Sequence, residues 1–232
     1  MTKSLNAPVD DSTQHQLVDL HQKDQVVLLL PRLNLVYYAT HGLFEANLIE
    51  WSKQFCSKDK DLIDIGAHTG TYALCLSNVC RHVHAFEPQK MTYYALCGGV
   101  ALSHKENISC YQMGLGSPDQ VGLGQLKIVN LDGGGSTLQS VNEPVLKTEE
   151  VMIQTLDHYE FSQIGLIKID VENNEYYVLL GSQKTLQRSG YPKILFESNQ
   201  HDERIHQLLN SLGYHVVNIN GYENMWLASH EV

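Results

Sequence analysis

Five carboxylates, Asp64, Glu87, Asp170, Glu172 and Glu197, stand in or just after short apolar runs, and the amides Gln112 and Asn199 occupy similar stops. In an alternating strand–helix chain such positions fall at the carboxyl ends of strands, where ligands and chemistry gather. Acids sharing one rim repel each other unless a cation offsets them. The pattern therefore asks for a cationic ligand, or for a divalent metal such as Mg2+, whose natural ligands are oxygens. A carboxylate placed there can also act as general base for a hydroxyl nucleophile.

Residues 61–88 hold the first two of these acids. Leu62, Ile63 and Ile65 form an apolar run that stops at Gly66, as a buried parallel strand does. Gly66 and Gly70 bracket a tight turn, residues 72–79 read as a helix, and Val83, Ala85 and Phe86 as a second strand with Glu87 at its end. Glycine at a first strand-to-helix turn lets backbone approach a nucleotide-like ligand, and an acid roughly 20 residues on takes two ribose hydroxyls. Glu87 stands at about that distance. His68 occupies the place of a dinucleotide site's second glycine, and Asp64 brings a carboxylate to where a pyrophosphate would lie. Both disfavour NAD. S-adenosylmethionine, with a sulfonium, an amino group, a ribose and no pyrophosphate, suits both. Without a ligand, the same acids are solvated strand ends of a plain βαβ unit.

The remaining elements follow from periodicity. Residues 26–30 and 33–38 read as a small β-hairpin, 43–55 as a helix with Glu45 near its start complementing the dipole. A helix at 91–103 with Gly98-Gly99, a strand at 108–112 and an exit turn at 114–116 come next. Residues 121–129 and 151–156 are strand-like, and the glycine loop 132–137 between them reads as a lid over the acceptor side or as a linker. Then come a strand at 164–169, a helix at 173–186, a strand at 193–196, a helix at 201–212 and a closing hairpin. The architecture expected is α/β and Rossmann-like, mainly parallel with an antiparallel C-terminal edge strand. A polar lead-in, hairpin and helix over residues 1–56 form a small N-terminal extension to a domain of residues 57–232.

Composition narrows the function classes. The 232 residues build one sizeable core. The formal net charge of −10 opposes nucleic-acid or anionic-membrane partners, because no Lys/Arg cluster is present to meet phosphates. Five cysteines without a CxxC pair are expected as reduced thiols of a cytoplasmic protein. Neither a secretory leader nor a membrane-length apolar run is expected. His82 and His84 share a strand face and read as a surface pair.

The runs DIGAHTG, AFEP, QMGLGS and LIKIDVENNEYYVLLG, with GLFE at 42–45 and ILFES at the fifth strand, resemble the FkbM family of S-adenosylmethionine-dependent methyltransferases over roughly residues 36–227. The resemblance implies a class I methyltransferase sheet and O-methylation of a sugar-like or other small hydroxylated acceptor. It implies cofactor contacts by Glu45, Asp64, Gly66, Ala67, His68, Gly70, Glu87, Pro88, Gln112, Met113, Gly114 and Asp170. Asp64, Gly66 and Gly70 would hold the methionine end, Glu87 the ribose, and Gln112 with Met113 the adenine. Asp170, then Glu172, then Glu197 are the candidates for base or metal ligand, with His41 and His201 behind them; Glu175 orients its helix. The family pattern has Asn at His68 and Gly at Asn173. An NAD-dependent oxidoreductase and a non-catalytic binding module on the same fold are the alternatives.

Overall fold

The computed structural model describes residues 17–19, 26–130, 132–198 and 202–230. The chain begins with β1 (Leu17–Asp19), β2 (Val27–Leu29), α1 (Arg32–His41), α2 (Ala46–Ser52), β3 (Asp61–Ile65), α3 (Thr71–Leu76), β4 (Val83–Phe86), α4 (Lys90–Leu102) and β5 (Ile108–Tyr111). It continues through β6 (Gly114–Leu115), β7 (Gly122–Ile128), β8 (Lys147–Gln154), β9 (Ile164–Ile169), α5 (Glu175–Leu180) and α6 (Gln183–Arg188). It closes with β10 (Lys193–Glu197), α7 (Glu203–Ser211), β11 (Tyr214–Asn218) and β12 (Met225–His230).

The main sheet has the order β11-β12-β10-β9-β3-β4-β5. Strands β3, β4, β5, β9 and β10 are mutually parallel, and the antiparallel finish is the β11–β12 hairpin, with β12 inserted between β10 and β11. All five residues of β3 are buried, which is why its sequence is a run and does not alternate. One face of the sheet carries Leu62, Val83 and Leu195 against Leu74 and Leu96 of α3 and α4. The other carries Ile63, Ile167 and Phe196 against Val178, Leu186 and Leu209 of α5, α6 and α7. Phe86 and Phe196 are fully enclosed, and each such burial contributes about 1.5–3 kcal/mol.

Several boundaries differ from the sequence expectation. Residues 33–38 are helical within α1, and β2 pairs instead with β1 upstream. A short apolar run carries no decisive period, and burial here falls on Tyr38 while Val36 and Tyr37 face out. The helix expected at 43–55 contracts to α2 followed by a 3-10 turn, and that at 173–186 breaks into α5 and α6 at Gly181-Ser182. Gly114 and Leu115, expected as a turn, form β6, which joins β8 and β7 in a separate three-stranded sheet. The N-terminal segment shares the main core through Leu28, Leu30, Leu48 and Ile49. Its approach explains Gly98-Gly99, since Cβ atoms there would lie 2.5 Å from Leu29 and 2.8 Å from the Val27 carbonyl. Among the described residues, no helix is long and apolar enough to cross a membrane.

Candidate active site

Strand order reverses between β3 and β9, because β3 leads to β4 on one side while β9 flanks it on the other. Such a reversal leaves a crevice at the strands' carboxyl ends. At Gly66 (φ 76) the chain turns so tightly against β9's exit that an added Cβ would lie 1.7 Å from the Asp170 carbonyl oxygen. A cavity of about 460 Å³ opens there. Of the expected residues it is lined by Glu45, Gly66, Ala67, His68, Glu87, Pro88, Met113, Gly114, Asp170, Glu172 and Glu197.

Asp64, Gly70 and Gln112 do not line it. The Asp64 carboxylate turns away from the ligand turn toward α3, where Oδ2 accepts the Ala73 N–H at 3.0 Å and satisfies a donor that a helix start leaves open. Burial pushes its pKa up to about 6. Gly70 caps α3 at φ 95, and the Gln112 side chain is exposed. Glu175 lies off the cavity too, where its Oε1 accepts the Val171 N–H at 3.0 Å and braces the start of α5. His41 is exposed, with its ring 4.8 Å from that of Tyr37; Asn199 and His201 lie outside the described residues.

Glu87 is held at both oxygens: Oε2 accepts the His68 N–H at 3.0 Å and Oε1 the Gln89 N–H at 2.8 Å. Each oxygen keeps a lone pair for a further donor. Burial raises its pKa to about 7, against the pull of these two bonds. His68 itself is left-handed (φ 50), and its Nε2–H donates to the Asp132 carbonyl at 2.8 Å. That bond ties down the glycine loop. Gly133, Gly134, Gly135 and Ser136 line the cavity, the Ser136 hydroxyl donates to Gln89 at 3.0 Å, and the Gly135 N–H donates to Glu172 Oε1 at 3.0 Å. Thr137 donates its hydroxyl to the Glu172 carbonyl. Glu172 is thus a loop anchor. Asn173 takes the left-handed conformation (φ 74) that glycine adopts more freely.

Asp170 follows β9 and meets Glu197 from β10 and Lys168 from its own strand. Lys168 Nζ lies 2.8 Å from Asp170 Oδ2 and 4.9 Å from the centre of the Tyr72 ring, whose hydroxyl donates to Glu45 Oε2 at 2.7 Å. The 32% exposure of the Asp170 side chain opens into the cavity. Burial pushes the Asp170 pKa up, but the Lys168 ammonium and a hydrogen bond with Glu197 outweigh it and hold the group below its usual range. Glu197 goes the other way, raised to about 9 by burial and then by the Asp170 charge. Its Oε1 accepts from Asn224. Burial and the Asp170 charge favour the neutral acid at Glu197, so Glu197→Gln is expected to shift Tm at pH 7 by less than about 3 °C, within about 1 kcal/mol. A drop of twice that in a thermal melt would mean an ionised Glu197.

The carboxyls do not suit a metal. Asp170 is already bound to an ammonium and Glu172 to the loop, and no cluster of three or more His, Cys, Asp or Glu among the described residues can hold an ion. His82 and His84 bond to Ser109 and Tyr111.

The sequence model of the FkbM methyltransferase domain matches residues 64–216, more than half of the chain. The chain belongs to the FkbM methyltransferase family. An FkbM methyltransferase of Methylobacillus flagellatus has a similar structure at 14% identity and a TM-score of 0.52, with 75% of this chain covered. This FkbM chain spans only 44% of that protein's length. A precorrin-6y C5,15-methyltransferase of Geobacter metallireducens is similar at 12% identity and TM-score 0.50, covering 82% of this chain and 92% of its own. A ribosomal protein L11 methylase of Lactobacillus delbrueckii is similar at 11% identity and TM-score 0.50, over 80% and 77% of the two chains. These likenesses establish the class I methyltransferase sheet. No curated protein matches the sequence.

Sequence reasoning missed several residues of this FkbM site. Tyr38, Tyr72, Phe86, Leu126, Leu138 and Lys168 also line the cavity. Only Lys168 left a sequence signal: a lone cation inside the apolar run of β9 has to be buried and paired.

Proposed function

We propose that the chain is an S-adenosylmethionine-dependent O-methyltransferase acting on a hydroxyl of a sugar-like or other small hydroxylated acceptor. The observation that carries this reading is the carboxyl-lined crevice at the strand-order reversal, with Glu87 pinned by two backbone N–H groups. When bound, S-adenosylmethionine supplies a methyl carbon whose bond to sulfur breaks as an acceptor oxygen attacks in line, the electron pair staying with sulfur. Glu87 takes the ribose hydroxyls, Met113 offers an apolar face to the adenine, and the Gly66–Ala67 backbone permits close approach. Asp170, ionised and open to the cavity, takes the acceptor's proton, a contribution of about 10²–10⁴-fold. The lid-like loop over the site excludes water, and alignment of the reactants lowers the barrier by up to about 7–11 kcal/mol.

Calorimetric titration tests the reading. S-adenosylhomocysteine is expected to bind and NAD is not; the reverse, or neither, would refute it. Affinity should also depend on pH, because a carboxylate must be ionised to accept two hydroxyl donors. Glu87 loses its proton near pH 7, so affinity should fall about tenfold from pH 8 to pH 6. In Glu87→Gln that slope should vanish along with most of the affinity. Labelled methyl uptake by small hydroxylated compounds identifies the acceptor.

A further inference from the structure

We propose that Lys168 is a positioning residue for methyl transfer: its buried ammonium, bonded to Asp170 at the cavity wall, keeps that carboxylate fixed and charged so that it can receive the acceptor's proton. This rests on the O-methyltransferase reading. Among the described residues, Lys168 is the only lysine or arginine lining the cavity, and it is 4% exposed. A buried charge is retained only where partners replace its water. Here Asp170 Oδ2 at 2.8 Å and the face of Tyr72 at 4.9 Å do so.

The groups facing the pair come from several elements. Asp64 of β3, Glu45 ahead of α2 and Tyr72 of α3 surround the ammonium, while His68, Glu172 and Glu197 face Asp170. Burial alone would pull the Lys168 proton off, but the charges of Asp170 and Asp64 hold it on. Burial would otherwise drive Asp170 to take up a proton, and a protonated Asp170 accepts nothing. Lys168 thus decides which acid is the base: Asp170, bonded to it, and not Glu197. In the step, the acceptor O–H breaks, its proton goes to Asp170, and the oxygen forms its new bond to the methyl carbon as the carbon–sulfur bond breaks.

The test follows the Asp170 carboxyl by NMR in full-length protein carrying 13C at aspartate side-chain carboxyls, with Asp170→Asn to assign the signal. In the parent, Asp170 should titrate below the ordinary aspartate value of about 3.9. In Lys168→Met its midpoint should rise by at least about one pH unit, and Lys168→Arg should return most of that rise. Where turnover is measured, the acid limb of kcat/KM should move with it, a loss of about tenfold on that limb. An unmoved Asp170 in folded Lys168→Met overturns the proposal. Should that variant not fold, a parent Asp170 titrating at or above about 3.9 overturns it equally. The titration needs neither cofactor nor acceptor, so failure to bind S-adenosylhomocysteine would refute the functional reading separately.

Discussion

Gly66→Ala is expected to unfold the protein or strip it of cofactor binding. The new Cβ would sit 1.7 Å from the Asp170 carbonyl oxygen and 2.8 Å from its carbon, both backbone atoms with no rotamer to escape into. Gly66 also holds φ 76, where an L residue is strained by about 1–2 kcal/mol. Overpacking adds about 1–3 kcal/mol, so the total penalty is about 2–5 kcal/mol. That is a large share of a stability of about 5–15 kcal/mol. The clash also pushes β9's exit away from β3's exit, widening the crevice in which Asp170 and Glu87 face one cavity. Urea unfolding would read the first effect as a lowered midpoint, and titration with S-adenosylhomocysteine the second. A variant with parental midpoint and affinity would show that the two strand exits are not in this contact.

Asp170→Asn is expected to cut turnover by about 10²–10⁴-fold while S-adenosylhomocysteine affinity stays within a few-fold. The amide keeps the size of the side chain and a carbonyl oxygen for the Lys168 ammonium, but it cannot accept the acceptor's proton. It also removes the negative charge that raises Glu197, so the Glu197 pKa should fall from about 9. Rate measurements on the identified acceptor, beside calorimetry on the same preparation, separate chemistry from binding. Full turnover in Asp170→Asn would remove Asp170 from the role of base. Glu172 is a poor substitute, since its carboxylate holds the Gly135 N–H and its carbonyl the Thr137 hydroxyl.

Both substitutions act where the chain's local grammar meets its long-range contacts. The apolar runs of β3, β4, β9 and β10 were legible because a parallel strand covered on both faces must be apolar along its length. Their carboxyl ends, and with them the positions of Glu87, Asp170 and Glu197, followed directly. The glycine turn was legible as the end of the β3 run, but the sequence assigned Gly66 to ligand approach, and only the structure shows that its missing Cβ makes room for the Asp170 backbone. Helix or strand over 33–38 was not legible, because six residues are too few to carry a period.

By itself, then, the amino-acid order determined which residues end the strands, and so put Glu87, Asp170, Glu172 and Glu197 on one rim, but it also put Asp64 there, which the fold turns away. Tertiary structure alone decided what each acid touches: Asp64 turns to the start of α3, Glu172 anchors the loop, and Asp170 meets a buried ammonium. The bonds that set these roles join distant points of the chain, as His68 to Asp132 and Gly135 to Glu172 do. Periodicity tells a side chain which face to take, but its partner across the cavity is chosen only when the whole sheet has closed.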